Sequence, residues 1–324
     1  MGHMDGTAVD GQQAVLAIDL GGTRIKAGIV VGDTVVRQRV VLTEDERGFA
    51  RVLHNILALG DGLIREASVG AVGLSLPAIV DTGRGTVIDI RKNLIGLIDF
   101  PLADTLGRHF GLPVALENDA RLYGLGELVA GAARGVEDMV CLTLGTGVGC
   151  CVARDGRILR GRHGTGGILG GHITIESDGP VCTCGNIGCI EVLCRAAGLV
   201  AAATDRLAAY PGHPFHGDPS LTPEAILDAA AARDPLALAA RAAYVQHLAA
   251  AIVSHIHAHD PDVVVLGGGI MNAADQLLPP IREYVAAHTW TIPPQRVVVR
   301  AAALGDGAAL IGAAALARGY APFW

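Results

Sequence analysis

The chain has 324 residues, of which 51% are hydrophobic, and a formal net charge of −7. A chain of this length can form two domains, each with its own hydrophobic core. The acidic balance argues against nucleic acid or an anionic membrane surface as the main partner. No apolar run reaches the roughly 18–20 residues of a membrane-spanning helix, and no signal sequence opens the chain. We therefore expect a cytoplasmic protein.

Residues 1–13 begin with Met1-Gly2-His3-Met4, which is typical of an expression-tag remnant, and are predicted to be disordered. The first predicted element is an apolar strand over residues 14–20. A second strand, 25–31, and a third, 34–42, flank a Gly-Asp turn, and this pattern indicates a β-hairpin.

A short glycine-rich turn follows the first strand and is a candidate phosphate-binding site. It consists of Gly21, Gly22 and Thr23, and Asp19 lies just before it. Glycines allow backbone N–H groups to approach phosphate oxygens, and a neighbouring carboxylate can hold Mg²⁺. The same string also occurs in ordinary turns, so it needs support from elsewhere in the chain.

Residues 139–156 repeat this plan: a strand, a glycine–threonine turn, a second strand and an Asp-Gly turn. Thr143 falls where Asp19 falls in the first copy. Two copies of one hairpin, about a domain apart, favour a duplicated architecture over two unrelated hairpins. The second set of candidate phosphate donors is Gly145, Thr146, Gly147 and Gly149.

Between the two copies, a short strand brings polar residues to its carboxyl end. The predicted elements before it are a helix over 46–66, strands over 70–79 and 86–90, and a helix over 99–111. The strand begins at Pro113 and leads to Glu117, Asn118 and Asp119, just before a helix over 120–133. Ligands in α/β sheets bind at such strand ends. Asp119 can be the helix N-cap, or a general base with Asn118 aligning a substrate hydroxyl.

Three cysteines and a histidine lie close together in the next loop: His172, Cys182, Cys184 and Cys189. This is a tetrahedral ligand set of the kind that Zn²⁺ prefers at structural sites. The alternative is a disulfide with a bystander histidine, which the strained C-x-C spacing and the odd total of seven cysteines disfavour. A closed Cys₃His site shapes a loop and performs no chemistry.

The C-terminal half alternates helices and strands. The predicted helices cover 199–207, a segment opening at Thr222-Pro223, 236–259, 275–288 and 308–318, and the strands cover 261–266 and 296–301. His255, His257 and His259 resemble a metal motif, but only the first and last share a helix face. We interpret them as a polar helix end.

Four features together resemble the ROK family of repressors and sugar kinases. They are Asp19-Leu-Gly-Gly-Thr23, Asn118-Asp119, Leu144-Gly-Thr-Gly-Val-Gly149, and the His172, Cys182, Cys184 and Cys189 set that precedes Glu191. The resemblance implies an α/β fold of the actin-like (ribonuclease H-like) class, two-lobed, with ATP and Mg²⁺ in a central cleft. It also implies phosphoryl transfer to a primary hydroxyl, usually the 6-OH of a hexose, and a homodimer.

The resemblance also implies roles for single residues. Asp119 matches the family's catalytic base, bound to the acceptor hydroxyl, and Asn118 matches a sugar ligand. His172, which is also on zinc, and Glu191 match residues that hold hydroxyls at the anomeric end of the sugar. Asp19 matches the Mg²⁺ and phosphate position. The turn formed by Gly267, Gly268 and Gly269 resembles the turn that packs against adenosine in the family. The expected lobes are residues 14–112 with 305–324, and 113–304 with the zinc loop.

One position departs from the family. Leu169 stands where a glutamate normally bonds sugar hydroxyls. An unsatisfied buried polar group costs about 1–3 kcal/mol. Either Glu176 or a water replaces the missing carboxylate, or the acceptor is an amino sugar, a deoxy sugar or a C7 cyclitol. Glucose is therefore only the family default. Three alternatives remain: polyphosphate as the donor, a sugar-binding repressor, and a catalytically silent sugar sensor. The repressor is disfavoured because only 13 residues precede the first strand, too few for a DNA-reading region.

Overall fold

The computed structural model describes residues 13–90 and 94–320. The predicted disordered segment, residues 1–13, lies outside this range except for its last residue. The described parts of residues 1–135, 156–166 and 304–324 form one compact unit, unit 1. Residues 136–155 and 167–303 form the other, unit 2. This division differs from the predicted lobes mainly in residues 113–135 and 156–166, which belong to unit 1.

The secondary structure alternates strands and helices, as expected for the predicted α/β class. The strands are β1 (Val15–Leu20), β2 (Arg24–Val31), β3 (Thr34–Leu42), β4 (Ala71–Leu76), β5 (Ile79–Asp81), β6 (Thr86–Asp89), β7 (Val114–Asn118), β8 (Met139–Leu144), β9 (Val148–Arg154), β10 (Arg157–Ile158), β11 (Val263–Gly267) and β12 (Val298–Ala301). The α-helices are α1 (Phe49–Ile64), α2 (Leu102–Phe110), α3 (Asp119–Val129), α4 (Ile190–Cys194), α5 (Ala196–Thr204), α6 (Pro223–Ala231), α7 (Pro235–His259), α8 (Ala274–His288) and α9 (Ala308–Ala317).

Two five-stranded sheets share one topology. The first has the order β3-β2-β1-β4-β7, and the second has the order β10-β9-β8-β11-β12. In each, an antiparallel hairpin leads into parallel strands, so that β1 and β8 occupy equivalent central positions. Asp19 pairs with Lys26 and Ser75, as Thr143 pairs with Gly149 and Gly267. The predicted internal repeat is confirmed.

Helices α3 and α9 of unit 1 pack backbone against backbone. A Cβ on Gly126 of α3 would lie 2.1 Å from the carbonyl oxygen of Ala308, and one on Gly312 of α9 would lie 1.8 Å from that of Leu122. Only glycine allows this approach. The contact anchors α3, which begins at the end of β7 and carries Asp119 in its first turn.

Two predicted elements are interrupted. The predicted helix over 46–66 is a 3₁₀ turn, Asp45–Arg47, followed by α1, because Gly48 adopts a φ of 84° between them. The predicted strand over 70–79 ends at Leu76, before Pro77, and resumes as β5. Proline cannot donate a ladder hydrogen bond, which explains the break.

Helix α7 corrects one expectation from the sequence. Among the described residues, this helix is long and apolar enough to cross a membrane by length and composition alone, and 50% of its apolar window is buried inside unit 2. The prediction that no apolar run reaches spanning length is therefore wrong for α7. Its Tyr244 is fully buried and donates a hydrogen bond from the hydroxyl to the carbonyl of Cys194 at 2.5 Å. These contacts are those of a core helix.

Candidate functional site

Asp19 lies at the carboxyl end of β1 in unit 1. The Ser75 hydroxyl of the neighbouring β4 donates a 2.6 Å hydrogen bond to Asp19 Oδ1. Burial raises the pKa of the Asp19 carboxyl, while the Ser75 hydrogen bond and the charge of Lys26 oppose the rise. A recessed carboxylate of this kind is stabilised by a cation placed beside it.

The glycine turn after β1 is held by backbone and hydroxyl contacts. The Gly21 N–H donates to the carbonyl of Arg24 at 3.0 Å. The Thr43 hydroxyl donates to the carbonyl of Gly21 at 2.8 Å, and the Thr43 N–H donates to the carbonyl of Thr23 at 2.9 Å. The turn, with Gly22 at its centre, is therefore fixed at the same sheet edge as Asp19.

Asn118 and Asp119 stand at the junction of β7 and α3. Asn118 Oδ1 accepts from the Arg121 N–H at 3.2 Å, so Asn118 is the N-cap. The interpretation of Asp119 as the cap is wrong, because Asp119 is already the first helical residue. Asp119 Oδ1 accepts from the Ala120 N–H at 2.8 Å and from Asn118 Nδ2 at 3.0 Å. These bonds orient the Asp119 carboxylate.

The cysteine–histidine cluster forms in unit 2 as predicted. The ligand atoms of His172, Cys182, Cys184 and Cys189 all lie within 4.8 Å of one another. The Cys182 Sγ to His172 Nδ1 and the Cys184 Sγ to Cys189 Sγ distances are both 3.7 Å. Zinc–sulfur bonds of about 2.3 Å in a tetrahedron require sulfur separations near 3.8 Å, so the donor set fits Zn²⁺.

The disulfide alternative for these cysteines is wrong. Within the described residues, which include all seven cysteines, no cysteine takes part in a disulfide. The loop is instead closed by backbone packing, since Gly188 has a φ of 57° and a Cβ there would lie 1.7 Å from the Glu176 carbonyl oxygen. The Glu176 carboxylate lies against Gly179 of the same loop, 3.0 Å from where a Cβ on Gly179 would be.

Glu191 lies between the cysteine loop and the second glycine turn. Its Oε1 accepts from the Thr183 hydroxyl at 3.2 Å, and its Oε2 accepts from the Val148 N–H at 3.4 Å. A Cβ on Gly147 would lie 2.9 Å from Oε2, so the carboxylate lies close against this turn. Unit 2 therefore brings together a predicted sugar ligand and a predicted nucleotide turn.

The two glycine turns of unit 2 lie side by side at the ends of β8 and β11. The Gly145 N–H donates to the Gly147 carbonyl at 3.0 Å, across the exposed Thr146. A Cβ on Gly268 would lie 2.3 Å from the Leu144 carbonyl oxygen. The flanking residues Gly267 and Gly269 complete the second turn at the end of β11.

Comparison with known proteins identifies the family. Residues 15–320 match the ROK family. The chain belongs to the ROK family. A glucokinase from Thermotoga maritima is 34% identical over 311 residues, which cover 93% of this chain and 96% of that protein. An N-acetylmannosamine kinase from Citrobacter koseri is 32% identical over 310 residues, with 94% and 99% coverage. The crystal structure of a ROK family glucokinase from Streptomyces griseus in complex with glucose and AMPPNP has a TM-score of 0.79 at 32% identity, and the match covers 94% of this chain and 99% of that one.

These similarities confirm two predictions. The ROK chain has the actin-like ATPase fold, and it is a phosphotransferase with an alcohol group as acceptor, a sugar kinase.

Leu169 of this ROK kinase lies in the 3₁₀ helix Ile168–His172, which also carries His172. Its side chain is 47% exposed. Neither Leu169 nor its neighbours in this helix are acidic. The segment that leads into the cysteine loop therefore carries no carboxylate of its own.

Some residues of the ROK site escaped prediction. They are Ser75 and Lys26, which lie beside Asp19, and Thr183, which donates to Glu191. Ser75 is 56 residues away from Asp19 in the sequence, and neither Lys26 nor Thr183 belongs to a recognisable motif. A polar residue at the end of an otherwise apolar strand was the available signal for Ser75. Lys26 also forms a 3.1 Å ion pair with Asp306 at the start of the last helical segment.

Substitution of Gly268 by alanine is expected to destabilise the ROK kinase by about 1–3 kcal/mol. Its φ is 87°, which disfavours any L side chain, and the new Cβ would overlap the Leu144 carbonyl. Gly269→Ala is the matched control, because no atom lies within 4 Å of a Cβ at that position. Urea denaturation measures the difference between the two variants in free energy of unfolding. Equal free energies would contradict the close packing of Gly268 against the Leu144 carbonyl.

The three histidines at the end of α7, His255, His257 and His259, lie in different environments, and the helix end is not uniformly polar. His255 is fully buried and stacks on His259 with ring centroids 5.6 Å apart. His257 is exposed and accepts a 3.0 Å hydrogen bond from the Trp290 N–H. The interpretation of a polar helix end is therefore wrong for His255, which is a core residue.

His255 is expected to make the stability of unit 2 fall in mild acid. Burial, helped by the charge of His259, lowers the pKa of His255 from 6.5 to about 4. Below pH 6.5 the unfolded chain binds a proton that the folded chain binds only near pH 4, so stability is lost as the pH falls through this window. The slope is up to about 1.4 kcal/mol per pH unit. Urea denaturation from pH 7 to 4 should show a smaller slope for His255→Leu than for the exposed control His257→Leu.

Proposed function

We propose that this ROK kinase transfers the γ-phosphoryl group of ATP to a primary hydroxyl of a hexose, of the 6-OH type, with glucose as the default acceptor. The main support is the position of Asp119. It follows β7, and Asp19 is the last residue but one of β1, two strands away in the parallel part of the same sheet. A proton acceptor and a cation-binding carboxylate thus share one sheet edge, as phosphoryl transfer requires.

The chain's own residues supply positioning and proton transfer. Asp119 accepts the proton of the attacking hydroxyl, and Asn118 helps to align that hydroxyl. The amides of the two nucleotide turns at residues 21–23 and 145–147 hold phosphate oxygens, apart from those of Gly21 and Gly145, which donate within their own turns. The turn at 267–269 packs against adenosine. Asp19 holds Mg²⁺, which when bound neutralises phosphate charge. A positioned base contributes about 10²–10⁴-fold to the rate.

The cysteine loop is proposed to hold one structural Zn²⁺ through His172, Cys182, Cys184 and Cys189. The 3.7 Å separations support this assignment. The metal would fix the imidazole of His172, and the same loop supports Glu191 through Thr183. We propose that His172 and Glu191 bind the hydroxyls at the anomeric end of the sugar. A metal-bound imidazole is held in one orientation, so the metal would act on specificity through geometry.

A second acceptor class is favoured by one observation. Because residue 169 is a leucine, the segment Ile168–His172 offers no carboxylate to the sugar, which disfavours an acceptor that depends on such a carboxylate. An N-acetylmannosamine kinase is among the relatives of the chain at 32% identity. An amino sugar or a C7 cyclitol is therefore the alternative acceptor. We further propose a cytoplasmic homodimer that has a small-molecule partner and binds neither nucleic acid nor membranes.

The decisive experiment is ADP release with Mg-ATP across a panel of acceptors. The panel contains glucose, mannose, allose, N-acetylated hexoses, kanosamine and C7 cyclitols, and a parallel assay with polyphosphate tests the donor. Turnover of at least one acceptor is expected. Absence of turnover with every acceptor and both donors would refute the kinase assignment for this chain.

The variant Leu169→Glu separates the two acceptor classes. If Leu169 marks a pocket for an amino sugar or cyclitol, restoring the carboxylate should shift the ratio of kcat/KM values towards glucose by about 10-fold or more, since a hydrogen bond to a charged group is worth about 1.5–3 kcal/mol. Leu169→Gln, of the same length without the charge, is the control. An unchanged ratio, with strong wild-type turnover of glucose, would identify an ordinary glucokinase.

A further inference from the structure

Arg121, in the first turns of α3, is completely buried, as is Glu117 at the end of β7. Arg121 Nη1 donates to Glu117 Oε1 at 3.1 Å. The other carboxylate oxygen, Oε2, accepts from Arg160 Nε at 2.9 Å and from Arg160 Nη2 at 2.5 Å. One buried carboxylate thus joins two guanidinium groups. Its Oε1 also accepts the Asn118 N–H at 2.8 Å, directly before Asp119.

Other bonds of the Arg121 guanidinium go to one loop of unit 1, residues 159–166. Its Nε donates to the carbonyl of Leu159 at 3.2 Å, and its Nη2 lies within bonding distance of three further carbonyls of the loop, those of Arg160 (3.3 Å), Gly164 (2.8 Å) and Gly166 (2.7 Å). The guanidinium therefore holds the loop at both ends. The loop tip, Gly161 to His163, stays exposed.

The loop and the proposed base share their neighbours. A Cβ on Gly164 would lie 3.7 Å from the Val80 carbonyl oxygen, and Asn118 Nδ2 donates to the Ala78 carbonyl at 3.2 Å. The segment 78–80 therefore lies against both the loop and the residue that precedes Asp119. A buried ion network adds little net stability compared with apolar packing, but it imposes one geometry.

We infer that Arg121 is a positioning residue for the sugar acceptor: through Glu117 and the carbonyls of residues 159–166, it holds this loop beside Asp119 as a wall of the acceptor site. The inference rests on the proposed function. The bonds of this network lead to Asn118 and Asp119, so acceptor binding is its expected point of action. Displacement of a positioning element by about 1 Å costs about 10²-fold in rate.

The test is Arg121→Lys, assayed with the best acceptor of the panel above. Lysine keeps the charge beside Glu117, but its three donors share one nitrogen, so it cannot span the carboxylate and the carbonyls at both ends of the loop as the planar guanidinium does. We expect the acceptor KM to rise about 10–100-fold, with the KM for ATP close to the wild-type value. Hydrogen exchange of the amides of residues 159–166 should accelerate in the same variant.

Arg318→Lys is the matched control. Arg318 also belongs to unit 1 and donates to three backbone carbonyls, those of Gln13, Gly32 and Val30, at 3.4, 2.7 and 2.8 Å. It therefore reports the general cost of losing a carbonyl-binding guanidinium. If both variants change the acceptor KM equally, or if Arg121→Lys raises both KM values alike, Arg121 has only a structural role and the inference is wrong.

A milder variant keeps the inference testable if Arg121→Lys does not fold. Arg160→Met removes one side of the network at a side chain that is 25% exposed, and it should raise the acceptor KM in the same direction by a smaller factor. Calorimetric titration of the sugar separates the two proposals. No turnover in the wild type with measurable sugar binding refutes the kinase assignment, whereas unchanged sugar affinity in Arg121→Lys and Arg160→Met refutes the role of Arg121.

Discussion

Asp119→Asn is expected to lower kcat for sugar phosphorylation by about 10²–10⁴-fold, because the amide cannot accept the proton of the attacking hydroxyl. The amide oxygen of the new side chain can still accept from the Ala120 N–H and from Asn118, which now hold Oδ1 at 2.8 and 3.0 Å. Steady-state ADP release should therefore show a large loss in kcat with little change in the KM for ATP.

Asp275→Asn is the control for this substitution. Asp275 is an acidic residue in the first turn of α8, as Asp119 is in α3, so both variants lose the same favourable interaction with a helix N-terminus, worth about 0.3–1 kcal/mol. Thermal unfolding of the two variants should shift similarly, while only Asp119→Asn loses turnover. Retention of more than about a tenth of the wild-type kcat would exclude Asp119 as the base.

Cys182→Ser is expected to reduce zinc affinity by at least about 10–100-fold, since substitutions beyond the ligands already cost this much. A serine hydroxyl remains protonated at neutral pH and is a poor ligand compared with a thiolate. The loop that carries His172 and supports Glu191 should then loosen. Zinc content by elemental analysis should fall, and the sugar KM should rise with it.

The buried Cys151 of β9 provides the comparison. Cys151 is 1% exposed and Cys182 is 3% exposed, so Cys151→Ser makes the same chemical change at a similarly buried position outside the cysteine loop. It should keep the full zinc content. A Cys182→Ser protein that binds zinc as tightly as the wild type, or two variants with equal loss of zinc, would refute the Cys₃His assignment.

Local patterns predicted much of this protein. The hairpin of β2 and β3 has its predicted Gly-Asp turn, and Thr222 caps α6 by accepting from the Ala225 N–H at 3.1 Å. Both depend on residues close in sequence, whose turn and cap preferences are strong. The cysteine–histidine cluster was equally predictable, because short glycine-containing segments leave its four ligands few other arrangements.

Which of Asn118 and Asp119 is the N-cap of α3 was not predictable. Both residues are good N-caps, so the sequence left the choice open, and it depends on where α3 begins once it packs against α9 through Gly126 and Gly312. The burial of His255 was not predictable either. Helical periodicity places it on a face of α7, but only the packing of unit 2 removes both ring nitrogens from solvent.

The residue sequence thus specified the repeated strands, the glycine turns, the metal-ligand set and the family, because each is a pattern of near neighbours. Tertiary structure decided the contacts between residues distant in the chain. Ser75 meets Asp19 across 56 residues, and Arg121 reaches carbonyls 38 to 45 residues away. Such contacts arise when strands and loops pack together, and no local preference in the sequence encodes them.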